Sequence, residues 1–264
     1  MVTGASTTLQ LMTEGGPART ACHNRPMTGG DSGRDQGTDP GPTTDRVRLR
    51  RLPEQGSHGK EDLYAVLDVG FVCHLGLVVD GWPMVVPTTY GRDDDYLLVH
   101  GSAASQSLRA AKTPTPVCVT VTLVDGLVLA RSIFNHSVNY RCAMIYGLPE
   151  VLVDPEMKLA GLRAISDHVA PGQWEYARPP SAKELASTMV LRLALDEASV
   201  KISEGPPDDD EADLALPVWA GVVPLRTARL DPVAAPGLAD GIAIPEHLVT
   251  APLAPGSEPA RRLI

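Results

Sequence analysis

Two Asp-Gly pairs, Asp80-Gly81 and Asp125-Gly126, each lie between runs of alternating apolar residues, and that pattern admits little except antiparallel sheet. Phe71–Val78 and Trp82–Tyr90 read as the two arms of the first hairpin. Gly91–Asp95 reads as a second turn, leading into a strand over Tyr96–His100 and then a helix over Ala103–Ala111 that carries Ser105, Gln106 and Arg109. Val117, Val119, Val121 and Leu123 alternate with Cys118, Thr120 and Thr122, after which Asp125-Gly126 predicts another hairpin into Leu127–Ile133.

Helices are few on this reading. Leu63, Val66 and Leu67 fall at i, i+3 and i+4 and predict a short amphipathic helix over 60–69. Asp154-Pro155-Glu156 combines a capping side chain, proline at the first position and an early acid, with Leu159, Leu162, Ile165 and Val169 as the apolar face and Pro171-Gly172 as the stop. Ser181 and Glu184 have capping-box spacing. Strands follow over Met189–Leu195, Val200–Ile202 and Leu216–Leu225. Seven or eight short strands with tight turns predict a mainly β (α+β) fold, an antiparallel barrel or sandwich rather than a βαβ sheet.

Composition bounds the folded part. Of 264 residues, 1–57 are rich in Gly, Thr, Arg, Pro and Asp without a period, and the segment is expected to be disordered. Residues 227–264 form a Pro/Ala-rich tail, leaving 58–226 as one domain, large enough to bury about two thirds of its unfolded surface. The net charge of −9 sits on the domain, since residues 1–57 hold 7 basic and 6 acidic side chains. An acidic body argues against nucleic acid or an anionic membrane as partner. Arg46, Arg48, Arg50 and Arg51 form a basic cluster before the domain, readable as a phosphate site or as a solvated linker. Cys22, Cys73, Cys118 and Cys142 lack metal-ligand spacing, so no metal is expected, and they read as buried free thiols of a reducing cytoplasm. No apolar leader and no run of about 18 apolar residues is present, which predicts a soluble cytoplasmic protein. The acidic run Asp208–Asp213 lacks the glycine and terminal glutamate of a calcium loop and reads as solvated.

The stretch Asp125–Gly147 sets polar side chains within strand-like sequence. By period two, Val138, Tyr140, Cys142, Met144 and Tyr146 share a face read as core, while Asn139, Arg141, Ala143 and Ile145 share the other. Arg141 stands in a strand without an adjacent acid, and together with Asn139, Arg131 and Ser132 it suits a phosphate or a carbonyl-rich ring, or else an interface. No glycine-rich phosphate loop is present, so a nucleotide must be held another way.

The motifs Val72–Gly76, Leu98–Ser105, Asp125–Ser132, His136–Arg141 and Val218–Leu225, in that order, resemble the pyridoxamine 5'-phosphate oxidase-like flavin-nucleotide-binding proteins, in the branch of the nitroimidazole-resistance-type reductases. The likeness runs from about Arg48 to Leu225, two thirds of the chain. It implies an FMN-binding split β-barrel that forms a homodimer, with FMN, or FAD in its place, in clefts at the subunit interface, and oxidoreduction of a small-molecule substrate. It carries Thr88, His100, Gly101, Ser102 and Ser105 to the flavin and its phosphate, with Ser137, Asn139, Tyr140 and Arg141 as further cofactor candidates. A non-catalytic module binding flavin, haem or deazaflavin is the alternative. Two departures weaken phosphate binding: Gln106 and Ser107 stand where related reductases often carry a basic residue, and Ser199–Ser203 lacks one positive charge, leaving Lys201.

Histidines are read individually. His100 beside Gly101 is a candidate ring contact, a weaker candidate for proton transfer, or a strand-end residue bonding backbone. His74 between apolar neighbours reads as a core or interface histidine, and His136 as a turn residue. Tyr140 and Trp219 suit either ring stacking or core.

Overall fold

The computed structural model describes residues 40–112 and 115–250. Its strands are β1 (Gly56–Ser57), β2 (Val72–Val79), β3 (Trp82–Asp93), β4 (Tyr96–Ser102), β5 (Val117–Leu129), β6 (Ser137–Gly147), β7 (Glu150–Val151), β8 (Thr188–Ala194), β9 (Ala198–Ser203) and β10 (Gly221–Pro224). Around them lie α1 (Lys60–Leu67), α2 (Gln106–Ala110), α3 (Pro155–Val169), α4 (Gln173–Tyr176), α5 (Ala182–Ser187) and α6 (Glu246–Thr250). All pairings among the described residues are antiparallel, in the order β1-β9-β6-β5-β2-β3-β4-β8-β7, with β10 on the free edge of β5. The path does not close on itself, so the architecture is the expected mainly β, split antiparallel barrel with peripheral helices.

The first hairpin forms as predicted because Asp80 (φ 51°) and Gly81 (φ 81°) both accept the left-handed conformation that a tight two-residue connection requires. Its second strand reaches across two sheets. Trp82–Thr89 of β3 pair with β2, whereas Tyr90–Asp93 pair with β4, so one strand belongs to two sheets. The turn that follows is tighter than Gly91–Asp95, because β3 continues to Asp93 and Asp94 (φ 47°) takes the bend.

Inside, Cys73, Leu75 and Leu77 of β2, Val117, Val119 and Val121 of β5, Ala143 and Ile145 of β6, and Leu191 and Leu193 of β8 meet Leu63, Val66 and Leu67 of α1. Burying each large aliphatic side chain contributes roughly 1.5–3 kcal/mol. On the far side of β4 and β8, Leu98 and Val190 pack with Leu152 and with Ile165 of α3, so these two strands are covered on both faces. Asp154 caps α3 by accepting from the amides of Glu156 and Met157, and Ser181 with Glu184 forms the capping box of α5.

Several expectations are corrected. Asp125-Gly126 is not a hairpin: β5 runs straight through it, with the register shifting between Val124 and Gly126 so that Asp125 is a bulge. Gly126 serves the approach of β10 instead, since a Cβ there would lie 2.9 Å from Val222 Cγ1. The connection to β6 falls at Ile133–Asn135, a 3-10 turn in which Ser132 accepts from the Phe134 amide. The two faces of β6 are exchanged: Ala143 and Ile145 are the buried ones, while Met144 is exposed and Tyr140, Cys142 and Tyr146 are half-buried on the outer side. Cross-strand partners decide this, because Ala143 lies opposite the buried Val121, a pairing that its neighbours in sequence do not reveal. The helix after β4 spans only Gln106–Ala110, and the strand expected over Leu216–Leu225 shrinks to Gly221–Pro224.

The packed body also begins before residue 58. Residues 1–39 lie outside those described, but Val47 is 2% exposed and Gly56-Ser57 pair with β9, so apolar residues set in a polar segment dock it onto the sheet edge. Most of the tail through 250 is exposed, tied down where Arg229 donates to the Val169 carbonyl at 2.9 Å and His247 meets Gln173 at 2.9 Å. The described cysteines are free, and burial pushes the Cys73 thiol up to about 12; Cys22 lies outside the described residues.

Gly91 marks where β3 crosses α3. A Cβ at this position would meet Ile165 Cα at 2.7 Å and the Ala164 carbonyl at 2.8 Å, both backbone atoms that cannot swing aside. Gly91→Ala is expected to destabilise the fold by about 1–3 kcal/mol, read from the urea midpoint at constant m-value; an unchanged midpoint contradicts this packing.

Candidate functional site

The divergence of β3 from β4 builds a wedge. The β3–β4 ladder ends at Tyr90↔Val99, yet β4 continues through His100, Gly101 and Ser102 paired only with β8, and β3 continues back through Thr89 and Thr88 paired only with β2. Thr88 and Thr89 therefore face His100–Ser102 without a ladder between them. Four of the residues carried over to the flavin, Thr88, His100, Gly101 and Ser102, stand at this one place. Thr89 shares the edge and escaped sequence reasoning; its only signal there is a second hydroxyl beside Thr88.

The wedge is polar on a buried floor. Thr88, Thr89, His100 and Gly101 are half-buried, and the Ser102 hydroxyl accepts from the Ala104 amide at 3.2 Å. Burial lowers the His100 pKa below the ordinary 6.5, so its ring is neutral at neutral pH. His100 Nδ1 is buried with no hydrogen-bond partner among the described residues. An orphaned buried N–H is costlier than an orphaned acceptor, which favours the tautomer with its proton on Nε2. Gly101 keeps the strand close to α2, since a Cβ would fall 2.8 Å from Leu108 Cδ1.

Ser105 is the N-cap of α2, but its hydroxyl pairs with Ser107 at 2.9 Å rather than with a helix amide. With α2 only five residues long, the phosphate-binding helix start expected here has little dipole to offer. The basic residue on α2, Arg109, is exposed.

Ser137, Asn139, Tyr140 and Arg141 do not join this wedge within one chain. They lie on β6, separated from β3 by β5 and β2, three strand spacings or about 14 Å across the sheet and further displaced along it. Arg141 has an acid after all: its Nε and Nη2 donate to Asp125 at 2.9 and 2.8 Å, a fork that the bulge makes possible by turning Asp125 toward β6. Asn139 donates to the Gly205 carbonyl at 3.0 Å. Arg131 is likewise engaged, binding Asp209 through its backbone amide at 2.6 Å and through Nη1 at 2.7 Å, so part of the acidic run is tied down rather than solvated.

Of the other histidines, His136 lies 3.2 Å from the Ala130 carbonyl, and His168 lies 2.6 Å from the Gly70 carbonyl with its ring 4.9 Å from that of Tyr90. His74 is not a core residue: alternation along β2 turns it outward and exposed, because Cys73 and Leu75 take the core side. Trp219 is also exposed. No helix among the described residues is long and apolar enough to cross a membrane.

A strand shared between two antiparallel sheets, with a wedge at the point of sharing, defines a split-barrel protein. The pyridoxamine 5'-phosphate oxidase family matches residues 59–202, more than half of the chain, and the chain belongs to it. Among solved structures it is similar to the flavocytochrome Anf3 from Azotobacter vinelandii, at 38% identity over 80% of this chain and 98% of that one, with a TM-score of 0.76. It is also similar to the FAD and haem binding protein from Mycobacterium smegmatis, at 41% identity over 74% of this chain and 96% of that one, with a TM-score of 0.71. A 5-nitroimidazole antibiotic resistance protein from Bacteroides thetaiotaomicron matches at 22% identity over 56% of this chain and 86% of that one, with a TM-score of 0.48. No curated protein matches it.

Burial makes the fold pH-dependent. His100 and His168 are both lowered below 6.5, chiefly by desolvation, so below that pH the unfolded chain takes up protons that the folded chain refuses. Their contribution is complete above about 6.5 and is lost as pH falls through the folded values. The urea midpoint is expected to drop between pH 7.5 and 5.5, and the drop to shrink in His168→Gln; an equal drop in wild type and variant contradicts the assignment.

Proposed function

We propose that two copies of this chain bind a flavin nucleotide at the β3–β4 wedge and act as a flavin-dependent oxidoreductase on a small molecule. The observation that carries this is the wedge itself, where the unladdered edges of β3 and β4 bring the backbone of Thr88 and Thr89 beside a neutral His100, Gly101 and Ser102. These groups fit the ring half of a flavin, whose carbonyls and ring nitrogens accept hydrogen bonds from backbone amides and from His100 Nε2. The phosphate half finds only hydroxyls in one chain. When bound, the flavin supplies the redox chemistry, and the protein holds, orients and desolvates it. FAD is favoured over FMN, because the relative at 41% identity is described as binding FAD.

A second copy is supported by apolar surface. Beyond the end of β2, β5 and β6 continue as a ribbon edged by β10, and its tip exposes Ile133 and Phe134 at 85% each, with Leu127, Val138 and Trp219 also open. An apolar arm of this kind is costly to leave in water and fits an interface. Through it, the Ser137–Arg141 stretch of one subunit can approach the wedge of the other.

A haem is the second cofactor we propose, since both well-matched relatives are described as a flavocytochrome or as haem-binding. The chain's own residues fit it at His74. This imidazole stands exposed in mid-strand, opposite Pro87 and Thr120, on a face that also opens Val72, Val78 and Val85 to solvent. The His74 imidazole would hold the haem iron and the neighbouring valines would pack against the ring. His58, His136, His168 and His247 are engaged within the chain.

Flavin-free protein titrated with FAD and FMN is expected to quench flavin fluorescence, and His100→Ala to weaken binding about tenfold, ~1.4 kcal/mol. No quenching in the wild type overturns the reading. Haemin added to the protein is expected to give a Soret band that His74→Ala abolishes while flavin binding persists; an unchanged Soret band in that variant removes His74 as ligand.

A further inference from the structure

The basic cluster before the domain has no part in the wedge, yet it is fixed in place. Val47 is buried with its carbonyl 3.2 Å from His58 Nε2, Leu49 packs against Gly56 closely enough that a Cβ there would come within 2.8 Å of its Cδ1, and Lys201 Nζ lies 3.5 Å from the Arg51 carbonyl. So held, the segment walls an open groove of about 190 Å³ on the outer side of β6 and β9, lined by Arg46, Arg48, Tyr140, Met144, Tyr146 and Lys201. The exchanged faces of β6 matter here, because they turn both tyrosines into this groove rather than into the core.

Charge in the groove is only partly compensated. Arg48 and Arg50 share the single carboxylate of Asp45, at 3.2 and 2.6 Å, and Lys201 contacts a neutral carbonyl. Arg46 is held at the far end, 3.2 Å from Glu197 and over the Tyr146 ring at 5.7 Å, which leaves Tyr140 as the ring at the opposite end. Lys201 pairs with Cys142, so its side chain stands on the same face as Tyr140, two residues along. In a chain of net charge −9, this is a cationic groove floored by aromatic and thioether side chains. An inorganic anion has no use for the rings, a neutral ring has no use for the cations, and a nucleic acid strand is repelled by the acidic body. A planar base joined to a phosphate uses both.

We propose that this groove binds an adenylate, with the base on Tyr140 and the phosphate between Arg48 and Lys201. A free adenine nucleotide and the adenylyl half of FAD carry the same chemistry, and the groove does not rest on the flavin reading, because AMP alone probes it.

The test is equilibrium dialysis of the full, flavin-stripped chain against AMP, inorganic phosphate, FAD and FMN, with melting midpoints recorded to confirm folding. AMP is expected to bind and inorganic phosphate to displace it only at more than tenfold higher concentration. Arg48→Glu, exposed and remote from the core, and the double variant Arg48→Glu/Lys201→Glu are each expected to weaken AMP at least tenfold, and Tyr140→Leu at least threefold. A parallel tenfold loss for FAD with FMN unchanged identifies the adenylyl half of FAD as the occupant; FAD and FMN both unchanged identifies a free nucleotide. AMP that fails to bind the wild type, that binds folded Arg48→Glu as tightly as wild type, or that phosphate displaces at equal concentration overturns the proposal. Loss of all flavin binding with AMP retained would sink the flavin reading and leave the groove standing.

Discussion

Tyr90 is the residue at which β3 leaves one partner strand for another, and the geometry of the molecule depends on holding it there. Its side chain is fully buried, its hydroxyl donates to the Leu67 carbonyl at 2.6 Å, and its ring lies 4.9 Å from that of His168, which itself reaches the Gly70 carbonyl. Leaving either buried polar group unpaired would cost roughly 1–3 kcal/mol. One residue further on, Gly91 lets α3 press directly on the strand backbone. The switch point is thus clamped from α1 on one side and α3 on the other.

A strand held in this way cannot continue its ladder with β4, and the unladdered edges become the place where something else can bind. Beside those edges, burial keeps His100 neutral. Farther along the sheet, the Asp125 bulge does comparable work on β5, where it aims a carboxylate at Arg141 and frees the next residue, Gly126, for the close approach of β10. The flavin wedge therefore arises where regular antiparallel pairing is interrupted at the split, and the cationic groove where the arginine-bearing segment is laid over β9.

Much of this was legible in the residues where the information is local. Asp80-Gly81 carries its own turn conformation, Asp154 and Ser181 carry their own caps, and the alternation of Val117, Val119 and Val121 carries its own burial. What depended on distant partners was not legible. Asp125-Gly126 has the look of a turn, and only β10, about a hundred residues later, makes its glycine a packing requirement. Arg141 seemed unpaired because its acid is 16 residues away on the neighbouring strand. The faces of β6 were exchanged because Ala143 is small and Tyr140 and Tyr146 are large, so size pointed the wrong way until the buried Val121 and Val200 were seen opposite Ala143. The wedge residues Thr88, His100, Gly101 and Ser102 came from family likeness, and no local pattern in the chain would have joined two strand ends that touch only through the departure of β3 from β4.

Amide hydrogen exchange of the full chain, with and without saturating FAD, tests the central claim most directly. If the split is the flavin site, exchange slows together at Thr88, Thr89 and His100–Ser102, on two strands that share no hydrogen bond at those positions. Unchanged exchange at both edges, or slowing confined to Ser137–Arg141, would contradict it.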